Sequence, residues 1–342
     1  MDGATLNRAV LARQCLLQRS SDSIPRVLEQ MGGLQAQYAP SSYVGLWSRR
    51  AGMERAQLDR ALEDRAVVQG TLMRVTIHLV SQEDYWPFAV AVRRARQQAW
   101  LRLLRGRRTE GELEALAERA RELLAGGPVK RHDALRELGG IDNGTWIGIG
   151  LWADMVRVPP SGTWDHRRAD LYALAETWIG PPQVSEDDAI HHTIRRYLNA
   201  FGPAYPGDLA SWSGLAASEL AARLREMELA VYRDDSGREL FDLPDAPLPE
   251  GATPAPVRFL PTWDASLLVH CRRSGILPEE YRPRVFQTKT PHSVGTFTVD
   301  GRVAGTWKTD GKRIVTSPFA PLDKASEMAV EDEAEGLEAF VA

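Results

Sequence analysis

The chain lacks nearly everything that would tie it to an export route or a membrane. It has only two cysteines in 342 residues, Cys15 and Cys271, too few for a disulfide framework. No charged-then-apolar segment of the signal-peptide kind opens it, and no apolar run approaches the roughly 18 residues a bilayer span requires. Histidine offers no metal site. His191 and His192 are adjacent, and neither a His-x3-His nor a Cys-x2-Cys spacing occurs. These absences predict a protein of the reducing cytoplasm, without metal, cofactor or membrane contact; it is expected to be a monomer. A surplus of positive charge is missing too. The net charge of −4 does not favour a nucleic-acid partner.

The distribution of charge says more than its sum. Glu327, Glu331, Asp332, Glu333, Glu335 and Glu338 crowd the last stretch, and without them the balance turns slightly basic. Arginines gather at Arg93, Arg94, Arg96, Arg102, Arg105, Arg107 and Arg108, and again at Arg272 and Arg273. The planar fork of arginine suits phosphate. Charge therefore permits DNA binding without demonstrating it.

What the chain does contain is one unit written three times: a short helix pair, then a β-ribbon. In the first, Ser23-Ile24-Pro25 reads as a cap with Pro in the first turn, and the helix it starts stops at Gly32-Gly33. The β-branched run Val67 to Val80 supplies the ribbon. A long Arg-decorated helix, Asp84 to Leu104, and another, Glu110 to Ala125, follow. The second unit pairs Arg131–Leu138 with Thr145–Asp154, then turns a ribbon from Val156 to Trp164. The third has helices at Ala189–Phe201, Pro206–Ser213 and Ala217–Met227, with a hairpin closing at Asp234-Asp235-Ser236-Gly237. This is the winged helix-turn-helix plan, which usually lays a helix in a DNA groove. The expected fold is mainly α with β-wings (α+β), with boundaries at 1–127, 128–182, 183–248, a β-rich region at 249–322 and an acidic tail at 323–342.

Several stretches, in order along the chain, together resemble the AlkZ/YcaQ family of bacterial DNA glycosylases: Leu6-Asn7-Arg8, Gly33-Leu34-Gln35-Ala36-Gln37, Leu46-Trp47-Ser48-Arg49, Leu72-Met73-Arg74 with His78-Leu79-Val80, Ala200-Phe201-Gly202-Pro203, and Val299 through Trp307. The resemblance covers nearly the whole chain. It implies three tandem winged helix domains in a C-shaped scaffold around double-stranded DNA. It also implies excision of alkylated purines, including bulky adducts and in some members interstrand crosslinks, in repair or in self-resistance of antibiotic producers. The family's active site, a Gln, an apolar residue, then Gln or Asp, maps onto Gln35, Ala36 and Gln37. This chain has the double-glutamine form, with no carboxylate in the motif.

The chemistry is compatible with two amides. A purine alkylated at N7 or N3 is cationic, so it leaves as a neutral base and needs no general acid, while the sugar becomes oxocarbenium-like. The protein has to orient water and stabilise charge with fixed dipoles, and an amide can accept and donate at once. Residues i and i+2 of an extended segment share a face, whereas on a helix they diverge by roughly 200°. Gln35 and Gln37 are therefore expected on a non-helical stretch after Gly32-Gly33, holding one water between them; the competing reading is two exposed glutamines on a polar turn. Arg74 and His78, four apart on the expected wing, either face DNA or pair with Glu63, Asp64 or Glu83. Arg93, Arg94 and Arg96 are candidate phosphate contacts or a solvated face. Lys308 sits in a stretch, Trp307 to Arg313, that either probes the duplex or closes a small sheet. Trp146 and Trp152 fit the core better than a stacking platform. Two other functions stay open: a non-catalytic winged-helix DNA-binding protein, as regulator or lesion shield, and a degenerate family member that uses the scaffold for protein contacts.

Overall fold

The computed structural model describes residues 1–168, 170–268, 270, 273–287 and 292–342. Cys271 and Arg272 of the sequence reading lie outside these residues. The opening helix α1 (Gly3–Arg13) is capped by Asp2, whose carboxylate accepts the Thr5 N–H at 2.7 Å. Helix α2 (Ile24–Met31) ends where Gly32 adopts φ +73°, as the glycine pair predicts. After the two-residue strand β1 (Leu34–Gln35) come α3 (Ala39–Trp47) and α4 (Arg55–Glu63). The first ribbon is β2 (Val67–Thr71) with β3 (Ile77–Ser81).

The long helix expected over Asp84–Leu104 is two helices, α5 (Gln82–Ala91) and α6 (Arg93–Leu104), parted at Val92. Pro87 inside α5 removes one helical N–H, and the break lets Arg93 and Arg96 both reach Asp154. Thr109 and Glu112 form a reciprocal cap on α7 (Glu110–Leu124). Then follow β4 (Val129–Lys130), α8 (Arg131–Glu137), α9 (Asn143–Trp152), β5 (Met155–Arg157), β6 (Leu171–Leu174) and α10 (Ala175–Ile179). The second ribbon thus returns at Leu171, not by Trp164 as expected. Trp164 is drawn away to Tyr43, with ring centroids 5.6 Å apart, and the Ser161 hydroxyl accepts the Asp170 and Leu171 N–H groups across the neck of the long connection.

The third stretch is close to its sequence reading: α11 (Glu186–Phe201), α12 (Pro206–Ser213), α13 (Ala217–Glu226) and the hairpin β7 (Ala230–Arg233) with β8 (Glu239–Asp242). Beyond it lie β9 (Arg258–Leu260), α14 (Arg282–Val285), β10 (Phe286–Gln287), β11 (His292–Ser293), β12 (Gly295–Val299), β13 (Arg302–Asp310) and β14 (Arg313–Pro318). The acidic stretch is a helix, α15 (Lys324–Val341). It buries Val330, Ala334 and Leu337 against Phe259 and Phe297, and Glu333 pairs with Arg19 at 2.6 Å.

The molecule is mixed α and β, with small antiparallel sheets. The first two ribbons share one six-stranded sheet ordered β1-β3-β2-β5-β6-β4, joined where Gln69 and Gly70 face Arg157 and Val156. A four-stranded sheet, β14-β13-β12-β9, carries α15. The main core unites α1, α5, α11 and α12 around Phe88, Tyr197 and Trp212. No helix among the described residues is long and apolar enough to cross a membrane.

Two fully buried ion pairs bind distant parts of the chain. Arg13 grips both carboxylate oxygens of Asp242 at 2.7 Å and also donates to the Leu198 carbonyl. Arg49 meets Asp264 at 2.9 Å, with neither side chain exposed. Removing one partner of such a pair strands the other charge in a low dielectric and costs about 3–5 kcal/mol. Asp242→Ala should therefore lower stability by about that amount, read as a drop in the thermal unfolding midpoint. The double variant Arg13→Met/Asp242→Leu should be milder than either single change.

Candidate active site

Gly32 and Gly33 turn the chain out of α2, both with positive φ. Gly33 is needed for a second reason. A Cβ there would lie 2.8 Å from Val80 Cγ1 and 3.1 Å from the Leu79 carbonyl, so only glycine lets β1 approach β3 this closely. The pairing is short and definite: Leu34 faces Leu79, Gln35 faces His78, and Ala36 N–H donates to Ile77 O at 2.8 Å. Tyr38 then starts α3, with Pro40 in its first turn. Gln35 and Gln37 thus lie on an extended stretch between two helices, and their side chains meet.

They do not flank a gap. Gln35 Nε2 donates directly to Gln37 Oε1. Gln35 is buried, 7% exposed, whereas Gln37 is exposed. Behind them, Arg74 Nη2 donates to Gln35 Oε1 at 2.9 Å, and Nη1 to the Trp212 carbonyl at 2.6 Å. The result is a one-way relay, guanidinium to amide to amide, that leaves Gln37 as its solvent-facing end. It presents an amide oxygen outward and keeps the positive charge behind.

Arg74 is not on a strand, as the four-residue spacing with His78 suggested. It sits in the turn Met73–Val75 that closes the first ribbon, at φ +53°, ψ +22°, and Val75 follows at φ +60°. Two successive left-handed residues without glycine are a strained turn, and that turn points the guanidinium inward. Burial lowers its pKa to about 10, which leaves it charged at neutral pH. His78 is on β3 but buried, 2% exposed, and is paired with neither Glu63 nor Asp64. Its Nδ1 lies 2.9 Å from Thr76 O and donates to it. Burial, reinforced by the charge of Arg74, pushes the ring down to about 3, so it is neutral. As it sits, His78 does not reach solvent or a phosphate.

His270 was not singled out from the sequence. It is buried at 2% with both ring nitrogens lacking a hydrogen-bond partner among the described residues. Its ring lies 4.8 Å from Phe201, and its carbonyl accepts the Tyr197 hydroxyl at 2.7 Å. Burial, then the charge of Arg74, holds its pKa well below the usual imidazole value. No local signal marks it, because its neighbours come from α11 and the first ribbon.

The arginine cluster divides. Arg96 is 3% exposed and ties α6 to Asp154 and to Thr71 O at 2.8 Å; that interior bracing replaces the expected phosphate contact. Arg93, half-buried, pairs with Asp154 at 2.9 Å. Arg94 stays exposed, as does Lys308 on β13 opposite Val315. The stretch Trp307 to Arg313 does close a sheet, turning into β14 at Gly311. Trp146 and Trp152 are core residues. Sequence reasoning also passed over Arg167, exposed in the connection after β5, whose Nη1 donates to the Tyr38 hydroxyl at 3.1 Å; the run His166-Arg167-Arg168 was its one available signal. Among the described residues, no three His, Cys, Asp or Glu gather as metal ligands.

A sequence model described as DNA glycosylase AlkZ-like matches residues 28–340. Among solved structures, the chain is similar to the Streptomyces sahachiroi DNA glycosylase AlkZ, with a TM-score of 0.84 at 22% identity, covering 100% of this chain and 97% of that one. That likeness shows a shared fold. No curated protein sequence matches the chain.

The neutral histidines make a stability prediction. Folded His78 takes a proton only near pH 3, while an unfolded histidine takes one near 6.5. The unfolded chain therefore binds more protons between those values, and stability rises with pH across that window. His270 acts in the same direction. The urea unfolding midpoint should fall from pH 7 to pH 5, and His270→Leu should flatten that fall.

Proposed function

This chain belongs to the AlkZ-like DNA glycosylase family, and we propose that it hydrolyses the glycosidic bond of cationic alkylpurines in double-stranded DNA, with Gln35 and Gln37 as the catalytic pair. The observation that carries this is the relay from Arg74 through Gln35 to an exposed Gln37. The C1′–N9 bond breaks, its electron pair going to the base, which leaves neutral. The sugar passes through an oxocarbenium-like state. A water oxygen adds to C1′, and its surplus proton goes to solvent. Gln37 Oε1 has a lone pair left after accepting from Gln35 and takes one hydrogen of that water. Gln35 fixes the rotamer of Gln37, and Arg74, held at two nitrogens, fixes Gln35. Positioning of this kind, with dipoles set in advance, is the largest lever a protein has on such a barrier.

The lack of a carboxylate fits the substrate class. A base that is already cationic supplies its own leaving-group activation, so N7 and N3 adducts are the natural substrates, bulky ones and interstrand crosslinks included. The three helix-and-ribbon units serve as winged helices, set in a C around the duplex. Arg94 and Lys308, both exposed, are the phosphate contacts; Arg93 contributes by releasing Asp154. Arg96 and His78 act through the architecture.

The direct test is single-turnover excision from a duplex with one N7-methylguanine, read by alkaline cleavage at the abasic site. Gln37→Ala should slow excision by about 10²-fold, the usual loss when a positioned polar group is removed, and Gln35→Ala/Gln37→Ala should abolish it, with duplex affinity within about threefold. Lost binding with an unchanged rate per complex would overturn the assignment. Arg74→Lys should not rescue Arg74→Ala, because an ammonium cannot span Trp212 O and Gln35 Oε1 together.

A second expectation concerns pH. His78 is neutral above about pH 3 and Arg74 charged below about 10. Neither glutamine hydrogen-bonds a carboxylate among the described residues. The excision rate should therefore show no inflection between about pH 5 and 8, in contrast to general acid–base catalysis. A limb near pH 6.5 would mean that a histidine acts.

A further inference from the structure

The residue after Gln37 borders a cleft that hydrolysis itself does not use. Its volume is about 380 Å³, within the ~300–1,000 Å³ of small-molecule sites. Tyr38, Trp164 and Trp307 line it, with Arg167 and Lys308. Tyr38 is 46% exposed and is the one aromatic among the exposed large hydrophobic side chains of the described residues. The rings are fixed in advance. Trp307 Nε1 donates to Leu260 O at 2.9 Å, and a Cβ on Gly295 would lie 2.6 Å from the Trp307 ring, so the indole lies tight against β12. Trp164 packs edge-on against Tyr43, and its backbone N–H donates to the Tyr43 hydroxyl at 3.1 Å. The Arg167 guanidinium lies 5.9 Å from the centroids of both Tyr38 and Trp164.

Aromatic faces held in place by packing and hydrogen bonds, beside cations, form a stacking platform for a ring carried on a polyanion. An extended residue advances about 3.3 Å, so Tyr38 begins the cleft one step from the end of the relay. We propose that this cleft stacks a flat aromatic ring of the DNA substrate while Arg167 and Lys308 hold the neighbouring phosphates. The inference rests on the glycosylase reading of Gln35 and Gln37. Two rings share this chemistry: the lesion purine, and an aryl group attached to it.

The experiment measures equilibrium affinity of the full-length protein for three duplexes, by fluorescence anisotropy at fixed salt. They carry N7-methylguanine, N7-(naphthylmethyl)guanine, or a stable abasic analogue with no base. If the aryl group is the ring held, the wild type binds the naphthylmethyl duplex about tenfold tighter than the methyl one, a modest stacking effect, and Tyr38→Ala brings that ratio near one. If the purine is held, Tyr38→Ala lowers the affinity of both lesions relative to the abasic duplex by a like factor. Thr309→Trp, which fills the cleft from exposed β13, should repeat whichever result holds without touching the glutamine segment. If both variants leave every affinity ratio unchanged, the cleft is not a stacking site. Affinity does not depend on turnover, so lesion selectivity without cleavage would sink the glycosylase reading alone, and cleavage with unaltered ratios would sink the cleft alone.

Discussion

The candidate site hangs on two residues of β-ladder. Leu34 and Gln35 pair with Leu79 and His78, and with the Ala36 N–H to Ile77 O bond they hold the glutamine segment in register with the first ribbon. The pairing needs a helix that stops sharply, a glycine that can pass within contact distance of Val80, and a ribbon whose turn bends Arg74 inward. Each condition is met by a different stretch of chain. A strand this short contributes little stability by itself. Its energy comes from Leu34 in the adjoining core and from the buried hydrogen bonds of Arg74, which would be costly to leave unmade.

The surroundings are arranged to keep charge in place. Arg74 is desolvated, hydrogen-bonds no carboxylate among the described residues, and has two neutral histidines nearby. Its positive charge is distributed over a carbonyl and an amide. Among the described residues, Arg13 is buried against Asp242, Arg49 against Asp264 and Arg96 against Asp154. Arg74 gives its fork instead to a neutral carbonyl and a neutral amide. A carboxylate partner would have competed with Gln35 for its fork.

Much of the scaffold was legible from the sequence because its signals are local. A cap and a glycine pair marked α2, apolar residues at helical spacing marked α7, and turn residues marked the β7–β8 hairpin. The glutamine pair was placed on an extended stretch by the geometry of alternate residues, and the resemblance told which pair to watch. What stayed hidden depends on tertiary contact. Val156 onward read as a single wing, but Trp164 is captured by Tyr43 and the return strand begins at Leu171. Arg96 and His78 looked like surface groups because nothing in a sequence reports that Asp154 or β1 will cover them. The acidic stretch read as a tail, yet every third or fourth residue from Val330 to Leu337 is buried under its charges. His270 gave no signal at all.

The sheet shared by the first two ribbons has a consequence for how such a chain can be cut or rearranged. The helix-and-ribbon repeat reads as a set of beads, each able to be lifted out. Yet β2 is bonded on one side to its own ribbon and on the other to β5. A fragment ending near residue 127 would bare that second edge of β2, a row of unpaired backbone groups of the kind that recruits other strands. The repeat is therefore modular in its pattern and continuous in its hydrogen bonding, and any exchange of units between related chains has to move the first two together.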